Sequence, residues 1–236
     1  MDRPWLSVII PVYREAARIA ALLDHVAAIA PPGGAQAIVA DGEPERSTLA
    51  ALPENCGLPV LPLATQQGRA RQMNAGAAAA RGEVLLFLHA DTRLPEDAFA
   101  LIREALTDSG VAGGAFSLDI QPDAGRAGPG LACIARAANM RSRLTRAPYG
   151  DQAIFLRRAV FESMHGYADI PVMEDLELMT RLRRRGLAIR ILPQAVRTSA
   201  RRWEAEGLAR CTGRNLLLRG LYHLGVRPER LAGLYK

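Results

Sequence analysis

Apolar residues in this chain fall into short unbroken runs, separated by stretches that repeat with helical spacing. LSVIIPVY at residues 6–13 is β-branched and apolar, and predicts a buried strand. Residues 14–30 then place Ile19, Leu22, Leu23 and Val26 on one helical face, and PPGG at 31–34 ends that helix. AQAIVADG at 35–42 predicts a second strand stopping at Asp41-Gly42. LPVLPLA at 58–64 predicts a short third strand, whose prolines point to an edge or an irregular segment. QGRARQMNAGAAAARG at 67–82 predicts a helix closed by Gly82, and EVLLFLHAD at 83–91 the next buried strand. A helix beginning at Leu94-Pro95 and ending near Gly110 follows. This alternation predicts an α/β fold with a doubly wound, mostly parallel sheet, in which ligands sit beyond the carboxyl ends of the strands.

The second half is less regular. VAGGAFSLDI (111–120) predicts a strand, 121–130 a loop, 131–146 a helix and DQAIFLRRAVFESMHG a strand with a short helix. EDLELMTRLRRRG (174–186) predicts a strong helix, acidic at its start, basic at its end and stopped by Gly186. AIRILPQ (188–194) predicts another strand, and 202–225 a mostly helical tail. No internal repeat or linker is visible. The chain is expected to form a single domain, 1–236, with a boundary near residue 115 that divides it into two halves, 1–115 and 116–236.

Composition narrows the function. At 49% hydrophobic and 23% charged, the chain can bury a core. Its net charge of +6 is nearly all arginine, since Lys236 is the only lysine. No basic run is interleaved with aromatics, so nucleic acid is not an expected partner. Cys56, Cys133 and Cys211 are isolated, which speaks against a zinc site or disulfide framework and fits reduced thiols in the cytoplasm. The opening MDRPWLSVIIPVYRE does not read as a secretory signal, and no apolar run approaches the ~20 residues of a membrane span. Contact with a membrane, if any, would be peripheral.

Three side chains stand out at strand ends. Asp41 alone reads as a turn-forming acid. His89 and Asp91 close the third long apolar run, and all three would converge on one crevice of a parallel sheet. Carboxylate and imidazole bind divalent cations, and Mg or Mn would bridge a carboxylate to a diphosphate. Arg69 and Arg71 flank the start of the neighbouring helix, where anions are favoured.

The ordered set SVIIPVYRE, VADG, QQGRARQMNAGAAAARGEVLLFLHADTRLP, GDQAIFLRRAVF and PVMEDLELMTRLRRRG resembles the family 2 glycosyltransferases of GT-A fold. HADTRLP and GDQAIF look most like a small bacterial branch described as selenodomain-associated glycosyltransferases. The resemblance runs from about Leu6 to about Leu192. It implies a metal-dependent, non-processive transfer of one sugar, with inversion, from a UDP- or GDP-linked donor to the hydroxyl of a small-molecule or lipid-linked acceptor. It further implies that Pro11, Tyr13, Glu15, Asp41, Arg69, Asn74, His89 and Asp91 contact the nucleotide sugar, with Asp91 as the metal ligand. Gly150, Asp151, Gln152, Arg202 and Trp203 would face the acceptor. Asp175 would be the general base, supported by Glu174.

Departures from the family pattern matter here. His89 stands where most members have Asp, and the segment ADGEPERST lacks the usual second acid, for which Glu43 and Glu45 are the candidate substitutes. Ser199 stands three before Arg202, where processive members have Gln. Three rivals set the alternatives. A dehydrogenase would need a glycine-rich turn after the first strand, where PVYREAAR stands. A sugar-1-phosphate nucleotidyltransferase would need a glycine-rich basic loop there. A catalytically weak nucleotide-binding or membrane-surface module would draw on the basic tail with Arg214, Arg219, Leu216, Leu217 and Leu218.

Overall fold

A computed structural model describes residues 3–122 and 127–234. β1 (Leu6–Val12) and β2 (Ala35–Asp41) are buried along their whole length apart from Pro11, as strands covered on both faces must be. α1 (Ala16–Ile29) connects them and buries Ile19, Leu22, Leu23 and Val26, the four positions its spacing selects. Burying side chains of this size contributes ~1.5–3 kcal/mol each, so this stripe fixes the helix on the sheet. A single turn, α2 (Ser47–Ala50), precedes β3 (Val60–Ala64), the edge strand that tolerates Pro62. α3 (Arg69–Ala79) then leads to β4 (Val84–Phe87).

These four strands are parallel in the order β3-β2-β1-β4. The chain therefore leaves β1 toward β2 on one side, and β4 lies on the other. In sheets of this kind ligands bind beyond the carboxyl ends of the strands, at such a reversal of order.

The second half continues the same sheet. β5 (Thr92–Arg93) and α4 (Ala98–Ala105) come first, then β6 (Val111–Gln121) and α5 (Pro129–Thr145). β7 (Phe155–Arg157), α6 (Arg158–Ser163), α7 (Glu174–Arg184) and β8 (Ala188–Ser199) follow. Three helices close the chain: α8 (Arg201–Glu206), α9 (Leu208–His223) and α10 (Pro228–Leu234). The full order is β3-β2-β1-β4-β7-β6-β8-β5. β7 runs antiparallel to both neighbours, β6 pairs with β8 in parallel, and β5 pairs antiparallel with β8. β6 runs across residue 115 without interruption.

Two glycines make β6 possible. A Cβ on Gly113 would lie 2.2 Å from the Phe155 carbonyl oxygen, and one on Gly114 2.2 Å from that of Arg190. Only a residue without a side chain fits between strands that close, and the register shifts there. One apolar core joins the sheet to α1, α4 and α5, and a second joins it to α3, α6 and α7. In the second, the rings of Phe87, Phe161 and Tyr167 pack mutually at 5.0–5.4 Å between centroids.

Some boundaries differ from those the pattern predicts. α3 ends at Ala79, and Gly82 serves a close backbone approach instead, since its Cβ would lie 2.7 Å from the Ser7 nitrogen. The predicted tail helix breaks at Gly207, where φ is +85°. β8 extends to Ser199 because it follows β6 to its end. The loop predicted at 121–130 includes 123–126, which lie outside the described residues.

Candidate active site

Three strand ends and two helix starts, those of α3 and α7, meet beyond the carboxyl ends of β1, β2 and β4. At β2, Asp41 is fully buried. Its Oδ1 accepts the Glu43 N–H at 2.9 Å and its Oδ2 that of Leu49 at 3.4 Å. Asp41 therefore shapes the turn after β2. Glu43 is buried too, accepting from the Ser47 hydroxyl and from Arg14 Nε at 2.7 Å. The Ser47 hydroxyl, ahead of the burial that opposes it, draws the Glu43 carboxyl below its usual range, with Arg14 adding to the effect. Glu45 is exposed. Gln72 on α3 ties the two strand ends together, its Nε2 donating to the Val12 carbonyl at 2.6 Å and the Ala40 carbonyl at 2.8 Å.

At β1, Pro11 is half-buried and Tyr13 is exposed, with the Arg14 guanidinium 5.4 Å from its ring centroid. Glu15 is the anchor of this strand end. Arg201 holds it at 2.6 Å and also reaches Asp91 Oδ2 at 3.1 Å. The chain delivers Arg201 there because β8 is fastened just before it. The Ser199 N–H donates to the Asp91 carbonyl at 3.0 Å, and the Thr198 and Thr92 hydroxyls meet at 2.9 Å. Arg201 thus spans β1 and β4.

At β4, His89 turns inward. Its Nε2 is buried without a hydrogen-bond partner. Burial, with the charges of Arg69, Arg202 and Arg201, pushes the imidazole down to about 3 against the pull of Asp91, so the ring is neutral. It lies against Gly150, where a Cβ would stand 3.0 Å from Nε2. The Gly150 N–H donates to Asp175 Oδ2 at 2.7 Å, while Asp175 Oδ1 accepts from Leu176 N–H at 2.6 Å. Gly150 is therefore the junction between the β4 end and the start of α7. Its lack of a side chain is what lets His89 and Asp175 share it.

Glu174 is almost fully buried and pairs with Arg69 Nη1 at 3.3 Å, joining the starts of α7 and α3. Burial raises its carboxyl above the usual range, opposed by Arg69. Asn74 is tied to the backbone, donating to the Tyr167 carbonyl at 2.8 Å and accepting its N–H at 2.9 Å. Gln152 is also committed internally, its oxygen to Ser142, Tyr149 and Arg141 and its nitrogen to the Phe116 carbonyl. Trp203 is half-buried against the core, and its Nε1 donates to Thr212 at 3.3 Å. Arg202 is exposed. Three non-glycine residues with left-handed backbone flank the site, Arg14 (φ 58°), Ala153 (48°) and Met173 (69°). Such conformations cost on the order of 1–3 kcal/mol each and persist where surrounding packing enforces them.

Asp151 sits beside Asp175 with its Oδ1 buried and unpartnered. Burial, then the nearby Asp175 charge, push its carboxyl up to about 6, partly offset by Arg141. The Arg141 guanidinium stacks on Tyr149, 3.5 Å from the ring centroid. A carboxyl raised in the folded state contributes its full stability below its unfolded pKa of ~3.9 and loses it as pH rises through about 6. Asp151→Asn should therefore be the more stable protein at pH 8, by roughly 1–2 kcal/mol after allowing for partial solvent screening. The advantage should vanish by pH 4. Melting curves of both proteins across this range check it, and a difference that does not change with pH would remove burial of the carboxyl as its cause.

A sheet of this order, with buried and half-buried acids at its switch point, defines a doubly wound α/β protein. The pattern described as Glycosyl transferase family 2 matches residues 7–163, and the chain belongs to that family. No curated protein matches it. Among solved structures it is similar to the mannosyltransferase PcManGT from Pyrobaculum calidifontis in complex with GDP-Man and Mn2+, at 21% identity and TM-score 0.65, covering 83% of this chain and 57% of that one. It is also similar to S. aureus TarS 1–349 in complex with UDP, at 14% identity and TM-score 0.63, covering 82% and 60%. The complex of TarS 1–349 with UDP-GlcNAc gives 15% identity and TM-score 0.60, covering 82% and 58%. The chain spans about 57–60% of the length of these structures. The fold is GT-A.

Proposed function

We propose that the protein moves one sugar from a nucleotide-diphosphate sugar to an acceptor hydroxyl with inversion, using a divalent cation. The observation that carries this reading is the meeting of His89 and Asp175 at Gly150, because it sets a strand-end donor site beside a helix-start carboxylate. The nucleotide would lie over the β1 and β2 ends near Pro11, Tyr13 and Asp41. Asp175 would take the proton of the attacking hydroxyl, a step that needs a carboxylate within hydrogen-bond reach. Asp151 and Tyr149 lie on the acceptor side of Asp175. Ser199, where a processive enzyme would carry Gln, favours a single transfer.

The donor set suits a hard cation. Asp91 offers a carboxylate, and the neutral His89 has an unpartnered ring nitrogen nearby in the chain. Among the described residues no three His, Cys, Asp or Glu side chains cluster to hold a metal. Asp91 would therefore hold Mg or Mn together with phosphate oxygens and water, as Mg commonly binds. When bound, the cation offsets charge growing on the leaving diphosphate. PcManGT was solved with GDP-Man and Mn2+, and TarS with UDP and UDP-GlcNAc, so both nucleotides belong in the test.

Thermal melting against UDP, GDP and other nucleoside diphosphates, with and without Mn, tests the reading. A ligand at ~100 times its Kd stabilises by ~2.7 kcal/mol, which for a chain of this size is about 5–10 °C. At least one nucleotide should produce a metal-dependent rise of that order. No shift with any of them at millimolar concentration would overturn the donor site.

A further inference from the structure

Large apolar side chains exposed to solvent are concentrated on one part of the molecule. Seven of the nine among the described residues come from α5 and from α9, α10 and the turn between them. The most exposed are Leu224 at 82%, Leu144 at 78%, and Met140 and Leu216 at 63%.

The pattern of α9 explains the concentration. Its inner side buries Cys211 and Leu218, but it also half-buries Arg214, Asn215, Arg219 and Tyr222. Arg214 is paired there with Glu206 at 2.6 Å. Its outer side exposes Ala209, Gly213, Leu216, Leu217 and Gly220, and only Arg210 and His223 are polar. A surface helix ordinarily turns its apolar stripe inward and its polar residues out. Here much of that arrangement is reversed.

Charge is concentrated in the same place. Residues 129–146 hold four arginines and no acid, and 201–234 hold seven arginines and three glutamates, together +8. The whole chain is +6, so everything else sums to −2. α9 packs against both α5 and α10, which sets the two basic segments side by side. Arg136, Arg143, Arg210, Arg227 and Arg230 are exposed on them.

We propose that the face formed by α5, α9 and α10 docks on an anionic lipid surface. Leu216, Leu217 and Leu224 enter the boundary between headgroups and acyl chains, and the exposed arginines meet lipid phosphates. Apolar side chains ringed by arginine are the combination that holds a helix in the plane of an interface. No described helix is long and apolar enough to cross a membrane, so the contact is with the surface. A second copy of the chain fits the face poorly. A two-fold dimer sets the same patch against itself, and +8 would then meet +8.

The proposal stands apart from the transfer reading and is tested without it. The full chain is sedimented with vesicles of phosphatidylcholine alone, or with about one-third phosphatidylglycerol. The expected result is at least ~10-fold stronger partition to the anionic vesicles, falling as salt screens the charges. Leu216→Glu with Leu224→Glu should reduce that partition ~10-fold or more, while Leu61→Glu on the distant edge strand should not change it. Arg136→Gln with Arg143→Gln should weaken it and flatten its salt dependence, which keeps the test decisive if the leucine pair folds poorly. Equal binding to both vesicle types, no binding to either, or anionic binding that neither pair reduces would overturn the proposal. So would a dimer in light scattering that the leucine pair dissolves, because the face would then belong to a second copy.

Discussion

Asp175→Asn is expected to lose at least ~10²-fold in sugar transfer, or in the slow donor hydrolysis that stands in for it, while binding nucleotide with nearly parental affinity. The carboxylate is held by two backbone amides, Gly150 N–H at 2.7 Å and Leu176 N–H at 2.6 Å. Asparagine keeps the shape and one acceptor but turns an amide NH2 toward the other N–H, and it cannot take a proton. General-base assistance is commonly worth ~10²–10⁴-fold, which is far more than the loss of one partly exposed hydrogen bond, at ~0.5–1.5 kcal/mol, does to stability. Turnover and nucleotide affinity measured together separate the outcomes. A carboxylate that only caps α7 would leave turnover unchanged. That result would remove the base and favour a nucleotide-binding module.

The second large effect concerns the cation. Asp91→Ala should abolish the metal dependence of nucleotide affinity and leave the fold intact, because Asp91 is a partly exposed strand-end acid outside both cores. Arg201→Ala should do the opposite. The Arg201 guanidinium lies 3.1 Å from Asp91 Oδ2 and neutralises the carboxylate that a cation would use. Exposed pairs of this kind are worth ~0.2–1 kcal/mol, so removing the arginine should tighten Mn2+ binding about 1.5- to 5-fold in the absence of nucleotide. Electron paramagnetic resonance of free Mn2+ reads both variants directly. Unchanged metal enhancement in Asp91→Ala would show that another group is the ligand.

Much of this architecture was legible in the sequence because local pattern and tertiary burial agree in the first half. β1, β2 and β4 are unbroken apolar runs, and only a strand buried on both faces needs such runs. α1 buries the residues its spacing names, and the ends of α7 carry the charges its dipole favours. The prolines of β3 marked an edge that the pairing bears out. The placement of β7 between β4 and β6 was not legible, since a three-residue strand has no period and its partners lie far away in the chain. In the candidate site, sequence named Asp41, Glu174 and Asp175 and placed them at a strand end and a helix start. It could not show that Gly150 joins His89 to Asp175, because that contact depends on a missing side chain. Leu218 and Arg214 of the basic tail also turn inward, which a helix with reversed polarity conceals.

The antiparallel insertion of β7 has a consequence for synthesis on the ribosome. β4 finds β1 as soon as it is made, but its other edge is closed only by Phe155–Arg157, some 70 residues later. At about 5–20 residues per second, the nascent chain holds an open edge on a fully buried strand for roughly 4–14 seconds. An uncovered apolar edge is a template for pairing with other chains. A chain cut between residues 115 and 155 would keep that edge permanently, so the N-terminal half should self-associate when produced alone.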